Sequence, residues 1–294
     1  MGIRRVSSDA GRCFLVREGL VEGRYGALML HVAGEPRSLG SAEPRLVFGD
    51  QARRLLLLDE QPAFELSQWC GTCQFLFQRL EGANDSLSLD ALQARLSAGV
   101  DDLDDEVISS FGALLEQGTY LPILLSVQPR LTLPGQPGDY YSEEQVSSWG
   151  LSGFWGLPEY PATAYYRTFE TKVDEGTHLF EFVVPMLPPA WNDAAKVAEH
   201  AERLASSDRP TAVAVSTLDV CQPAVANQST DYFAHWGLTH FLLDGHHKMQ
   251  AAAENGRPLR LLSLLSLRGS LASPEQVGLI PRLRQKSAGR RQPR

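Results

Sequence analysis

Asp244-Gly245-His246-His247-Lys248 place a carboxylate, two imidazoles and an ammonium group within five positions, directly after the apolar run Phe241-Leu242-Leu243. Such a set can hold an anion and move a proton. Gly245 tolerates positive φ and lets a ligand approach the main chain closely. The pattern predicts a buried strand, Leu238 to Leu243, that turns into a helix over His246 to Glu254. The first N–H groups of that helix have no partners within it, and with the helix dipole they favour a bound phosphate or similar anion. Cationic side chains here invert the usual helix pattern and cost about a few tenths of a kcal/mol each unless an anion neutralises them. The plain alternative is a strand-turn-helix whose paired imidazoles are exposed polar residues. A third reading joins the pair to His235 and His240 as metal ligands.

Trp69-Cys70-Gly71-Thr72-Cys73 resembles the redox motif of thioredoxins. At a helix start a Cys-x-x-Cys pair acquires a low thiolate pKa and exchanges disulfides. One such pair is also half a zinc site, which Cys13 and Cys221 can complete only if the fold brings them near. The third possibility is a pair of structural thiols on a buried helix. Asp219 and Gln222 stand where a β-branched strand ends, a position that commonly carries ligand contacts. His235-Trp236 offers a stacking or substrate-lining pair, with core packing of the indole as the alternative. The acidic run Asp101, Asp102, Asp104, Asp105, Glu106 precedes a helix and reads as dipole-favouring capping.

The elements that must position these residues follow from periodicity. Cys13–Arg17, Tyr25–Val32, Arg45–Phe48 and Arg53–Leu58 read as short strands, and Phe64–Leu80 as a helix. Ser88 can cap a helix carrying Leu89, Leu92 and Leu96, and Asp104–Glu116 predicts another. A strand over Leu121–Val127 follows. Pro, Gly and aromatic residues then crowd 129–162, the segment read as a long ordered loop, domain boundary or lid. Ala164–Lys172 and His178–Val184 predict a hairpin turning at Asp174-Glu175-Gly176, followed by a helix capped near Asn192. Thr211–Val220 and Leu259–Leu267 complete the strands.

The expectation is an α+β fold with a mixed sheet. Its parts are a β-rich then helical region 1–128, the loop 129–162, an α+β region 163–280 and a basic disordered tail 281–294. With 43% hydrophobic and 21% charged residues, the 294-residue chain can build a real core. The net charge of −8 argues against nucleic acid as a partner outside the basic tail. No apolar stretch reaches the ~18 residues of a membrane span, and no secretory leader is legible. Four cysteines in a chain of this length make no disulfide framework, so the expected location is the cytoplasm.

The stretch Phe241-Leu242-Leu243-Asp244-Gly245-His246-His247-Lys248-Met249-Gln250-Ala251-Ala252 resembles the signature of the ParB/sulfiredoxin-like superfamily, in its Asp-Gly-His-His-Arg subgroup. Gly118-Thr119-Tyr120-Leu121-Pro122-Ile123-Leu124 is similar to another piece of such domains. Lys248 stands where that signature has Arg, which gives up bidentate phosphate recognition. The hundred-odd residues between the two pieces exceed what a compact ParB domain holds. The resemblance implies a small-molecule phosphate ligand: ATP, ADP or another nucleotide with Mg²⁺, or a phosphorylated metabolite. It implies that Gly245 and the main chain of His246 and His247 cradle phosphate, that Lys248 supplies charge, and that Asp244 orients a histidine or a metal. One histidine would then transfer a proton in phosphotransfer or hydrolysis. Two further readings remain: a non-catalytic binding or accessory protein on the same fold, and a thiol redox protein working through Cys70 and Cys73.

Overall fold

The computed structural model describes residues 3–7, 12–17, 28–33, 45–48, 54–58, 61–66, 76–84, 87–112, 115, 118–143, 164–174, 176–206, 209–225 and 232–288. The chain divides into two compact units, Met1–Pro122 and Ile123–Arg294. The division falls within the strand expected over Leu121–Val127, not at the 129–162 segment. The fold is α+β, as the alternation of elements implies.

In the first unit, β1 (Ile3–Ser7), β2 (Arg12–Arg17) and β3 (Leu28–Ala33) form an antiparallel meander. β3 pairs with the start of β8 (Gly118–Val127) through Leu30 and Tyr120. A second antiparallel sheet holds β4 (Arg45–Phe48), β5 (Arg54–Leu58), β6 (Gln61–Leu66) and β7 (Leu76–Arg79). The helix expected over Phe64–Leu80 is therefore strand at both ends. Apolar residues there also satisfy a two-residue period, and pairing across β5 and β6 decides for the sheet. α1 (Leu89–Ala98) starts where expected, with the Ser88 hydroxyl accepting from the Ala91 N–H at 3.2 Å. α2 (Asp105–Gly112) follows, and the Asp104 carboxylate caps it by accepting from the Glu106 and Val107 N–H groups.

The second unit is built on a mixed sheet. From the end of β8 its order runs through β14 (Leu259–Ser266), β12 (Thr211–Val225), β13 (Tyr232–Asp244), β11 (Thr177–Pro185), β10 (Tyr165–Asp174) and β9 (Arg130–Thr132). β12/β14 and β11/β13 are parallel, whereas β12/β13 and β10/β11 are antiparallel. The expected hairpin is β10–β11. The central strands are apolar on both faces, and Leu179, Phe182, Ala212, Ala214, Leu218, Leu238 and Leu242 are fully buried. α3 (Ala194–Ala205) is capped by Asp193, whose carboxylate accepts from the Ala195 N–H. α4 (His246–Glu254) packs on the sheet through Met249, Ala251 and Ala252, all fully buried. It ends at Asn255, before the positive-φ Gly256.

α5 (Pro274–Ala288) departs from the expected disordered tail. Its apolar residues Val277, Ile280 and Leu283 are buried, and Arg284 is drawn into an ion pair in the sheet. Charge counting along 281–294 overlooked that Leu283 continues, at helical spacing, the apolar stripe begun by Val277 and Ile280. No described helix is long and apolar enough to cross a membrane.

Candidate functional site

The strand-turn-helix junction forms as its residues dictate. β13 delivers Asp244 to the sheet end, and Gly245 takes φ 95° and ψ 27° at the N-cap of α4. A Cβ at Gly245 would lie 2.7 Å from Ala212 Cβ and 3.0 Å from Ala212 Cα, so only glycine lets α4 sit this close to β12. Gly245 contributes no side-chain cap. Met249 is the first residue of α4 whose N–H reaches back, to the Gly245 carbonyl at 2.8 Å. The amides of His246, His247 and Lys248 have no acceptor among the described residues.

The side chains are committed to the protein. The Met186 N–H donates to His246 Nε2 at 3.2 Å, and the Asp193 N–H donates to His247 Nε2 at 3.1 Å. Both rings are therefore neutral acceptors at Nε2, which places any ring proton on Nδ1. Burial pushes the His246 pKa down to about 4, against the pull of Asp244. Burial lowers His247 as well, with Lys196 adding to the effect. Lys248 is only 6% exposed; its Nζ donates to the Thr211 carbonyl at 3.0 Å and to Asp244 Oδ1 at 3.2 Å. The helix-dipole anomaly visible in the sequence thus has protein partners. Asp244 neutralises Lys248, and the imidazoles carry no charge. Asn192 ties the same corner down by donating from Nδ2 to Gln250 Oε1 at 2.7 Å.

The other predicted positions lie elsewhere. Asp244 pairs with Val213 on β12, while Asp219 pairs with Gly237. Six residues of strand separate them, about 20 Å. Asp219 accepts from the Leu271 N–H, and burial raises its pKa. Gln222 falls in the irregular stretch between Cys221 and Ala224, farther still. The inference that Asp219 and Gln222 flank the His-His turn fails because β12 runs antiparallel to β13. It carries its C-terminal half away from that end. Trp236, opposite Val220, is likewise about 26 Å along β13 from Asp244. His235 and His240 are an odd number of residues apart on one strand and face opposite sides of the sheet. They do not join a metal site with His246 and His247. Among the described residues no group of His, Cys, Asp and Glu is arranged to hold a metal. Cys70 and Cys73, whether redox pair or zinc ligands, lie outside the described residues. Cys13 is on β2 and Cys221 is a partly exposed thiol on β12.

No family model, no curated protein and no solved structure matches this chain. Assignment therefore rests on the geometry of the chain itself.

Two polar clusters escaped the sequence reading. Across the central sheet, Ser263 Oγ donates to Ser216 Oγ at 2.8 Å, and Ser216 Oγ lies 2.6 Å from His240 Nδ1. His240 Nε2 is 3.9 Å from Glu181 Oε2, and Arg284 Nε approaches that oxygen to 2.7 Å. Burial pushes the Glu181 carboxyl up, but the Arg284 guanidinium and His240 outweigh it and hold it at about 2. Ser216, His240 and Glu181 have the composition of a nucleophile-base-acid triad. All three are fully buried, so the row is a polar network of the core with no open face to a substrate. In the second cluster, the Tyr140 hydroxyl lies 2.6 Å from His235 Nε2, and His235 stacks on Phe180 with ring centroids 4.6 Å apart. Asp139 is fully buried and organises the turn before it, accepting from the Gly135 N–H at 2.7 Å and the Tyr165 hydroxyl at 2.8 Å. The described start of the 129–162 segment, expected as loop, thus holds the short strand β9 and an ordered turn, because Arg130–Thr132 find ladder partners on β10. The only sequence signal for either cluster was polar residues inside apolar strands, namely Ser216, Glu181, His235 and His240. Local pattern does not say which strands become neighbours.

A groove of about 540 Å³ runs along the acidic stretch 101–106 in the first unit. Its Asp104 carboxylate caps α2 and pairs with Arg95 at 3.0 Å, in keeping with the capping reading.

Proposed function

We propose that the second unit is a binding module for a small phosphate-bearing ligand, of the nucleotide or phosphometabolite class, held at the N-terminus of α4. The observation that carries this reading is the uncapped, left-handed Gly245, followed by the amides of His246, His247 and Lys248 with no acceptor among the described residues. The resemblance to ParB/sulfiredoxin-like proteins, which use a turn of this type for nucleotide phosphate, supports the same ligand class. The binding groups differ from those the resemblance implies: main-chain amides hold the phosphate, and Lys248 and the two imidazoles hold the protein. The module is accordingly non-catalytic at this turn, because neither ring presents a free Nε2 and the Lys248 ammonium already serves Asp244 and Thr211. Any Mg²⁺ arrives with the nucleotide.

The test is an amide-resolved titration of the full-length chain with ADP, ATP or CTP plus Mg²⁺, and separately with inorganic phosphate. The expected result is saturable shifts of the His246, His247 and Lys248 amide resonances. Shifts elsewhere only, or none at millimolar ligand, would remove the site. Phosphate release or transfer lost on His246→Gln substitution would overturn the non-catalytic assignment.

A further inference from the structure

Among the described residues, the two imidazoles are the only side chains that accept from the Met186 and Asp193 N–H groups at the ends of the 186–193 connection. That connection links β11 to α3 and carries the exposed Met186 and Trp191, 46% and 47% accessible. It is tied to α4 at three points. Met186 donates its N–H to His246 Nε2, Asn192 donates to Gln250 Oε1 and to the His246 carbonyl, and Asp193 donates its N–H to His247 Nε2. A ring nitrogen that accepts a hydrogen bond must be unprotonated. Once Nε2 carries a proton it becomes a donor facing another donor, and the attraction reverses. The first and third ties are therefore available only to neutral imidazole, while the Asn192 tie is indifferent to acid.

We infer that His246 and His247 form an acid-sensitive clamp, whose protonation releases the 186–193 connection and the start of α3 from α4 while the sheet beneath stays folded. The charges around the pair set its direction. Asp244 at the end of β13 and Asp193 at the cap of α3 favour protonation. Lys248 on α4, Lys196 on α3, and the positive end of the α4 dipole oppose it. His200 on α3 is a third imidazole close by, facing Lys248, Glu199, Arg203 and His247, and burial lowers it to about 4. Once protonated, the three rings would stand among two lysines and Arg203 with Asp244, Asp193 and Glu199 as counter-charges, so each proton taken up makes the closed form less favourable. Both accepting bonds lie near the surface, where protons have access.

The sign follows from linkage. Closed His246 binds its proton near pH 4, and released His246 near the ordinary 6.5. The open form therefore binds more protons over that interval. The clamp is intact above about pH 6.5 and weakens progressively as pH falls toward 4. This inference is independent of phosphate binding, since it concerns the ring nitrogens and not the α4 amides.

The experiment is hydrogen exchange by mass spectrometry on the full-length chain between pH 7 and pH 4.5, corrected for intrinsic exchange. It compares wild type with a His246→Gln, His247→Gln variant. Glutamine places a neutral acceptor near the Nε2 position and does not titrate. In wild type the 186–193 peptide should gain roughly tenfold or more in exchange on acidification, while the β12 peptide 212–218 stays protected. In the glutamine variant the 186–193 gain should be less than about twofold. Equal pH profiles in the two proteins would overturn the clamp. So would an unchanged 186–193 peptide at pH 4.5, or simultaneous loss at β12. Should the variant not fold, imidazole ¹⁵N shifts of the wild type decide: protonated Nε2 at pH 7, or ordinary titration near 6.5, refutes the inference.

Discussion

Replacing Gly245 by Ala probes the close approach of α4 to β12. The new methyl group would lie 2.7 Å from Ala212 Cβ and 3.0 Å from Ala212 Cα. Ala212 is fully buried on a central strand, so no rotamer change relieves the contact and α4 must lift by several tenths of an ångström. Overpacking of this kind costs about 1–3 kcal/mol. A left-handed φ of 95° adds about 1–2 kcal/mol for a residue with a Cβ. The variant should therefore be destabilised by roughly 2–5 kcal/mol. Gly256 supplies the control. Its φ is 57° and a Cβ there would meet nothing within 4 Å, so Gly256→Ala should show the conformational cost alone. The gain from restricting the unfolded chain is common to both substitutions and cancels between them. Ala212→Gly in the Gly245→Ala background should restore the steric part, giving a coupling energy of about 1–3 kcal/mol in a double-mutant cycle. The assay is the urea midpoint of the full-length chain, followed by hydrogen exchange at the β12 peptide. Equal losses at Gly245 and Gly256, or a coupling below about 0.5 kcal/mol, would refute the argument from close approach.

Three further outcomes follow from the same geometry. Arg284→Met leaves the fully buried Glu181 carboxylate without its guanidinium and should cost about 3–5 kcal/mol, with Glu181→Leu added on top recovering part of it; a wild-type denaturation midpoint for Arg284→Met would contradict this. Glu181 is depressed in the folded state from 4.5 to about 2, so its stabilisation is present above pH 4.5 and is lost as pH falls through 2. The difference in denaturant stability between wild type and Glu181→Gln should shrink over that window, and a difference constant with pH would exclude Glu181 as the source. Ser88→Ala removes the acceptor for the Ala91 N–H and should weaken α1 by about 1 kcal/mol, read as faster amide exchange in that helix; unchanged protection would deny the cap its role.

What the sequence determined by itself is local. The Asp-Gly turn after an apolar run is enough to end β13 and start α4, because glycine alone adopts positive φ cheaply and unpaired amides must follow. Ser88 and the Asn255-Gly256 stop were legible for the same reason, as was the β10–β11 hairpin from its turn residues. The strands β6 and β7 were not, since a short apolar run fits both periods until a neighbouring strand offers its hydrogen bonds. Tertiary structure decided everything about partners. His246 and His247 take their donors from residues 60 and 54 positions away, and Lys248 takes its carbonyl from 37 positions away. The antiparallel course of β12 carried Asp219 and Gln222 from the turn, and α5 brought Arg284 to Glu181 across 103 residues. Periodicity along a chain reports which face of an element is buried. It carries no information about which distant backbone group will stand opposite a given ring nitrogen. That choice turned a constellation resembling a catalytic turn into one whose side chains hold the fold.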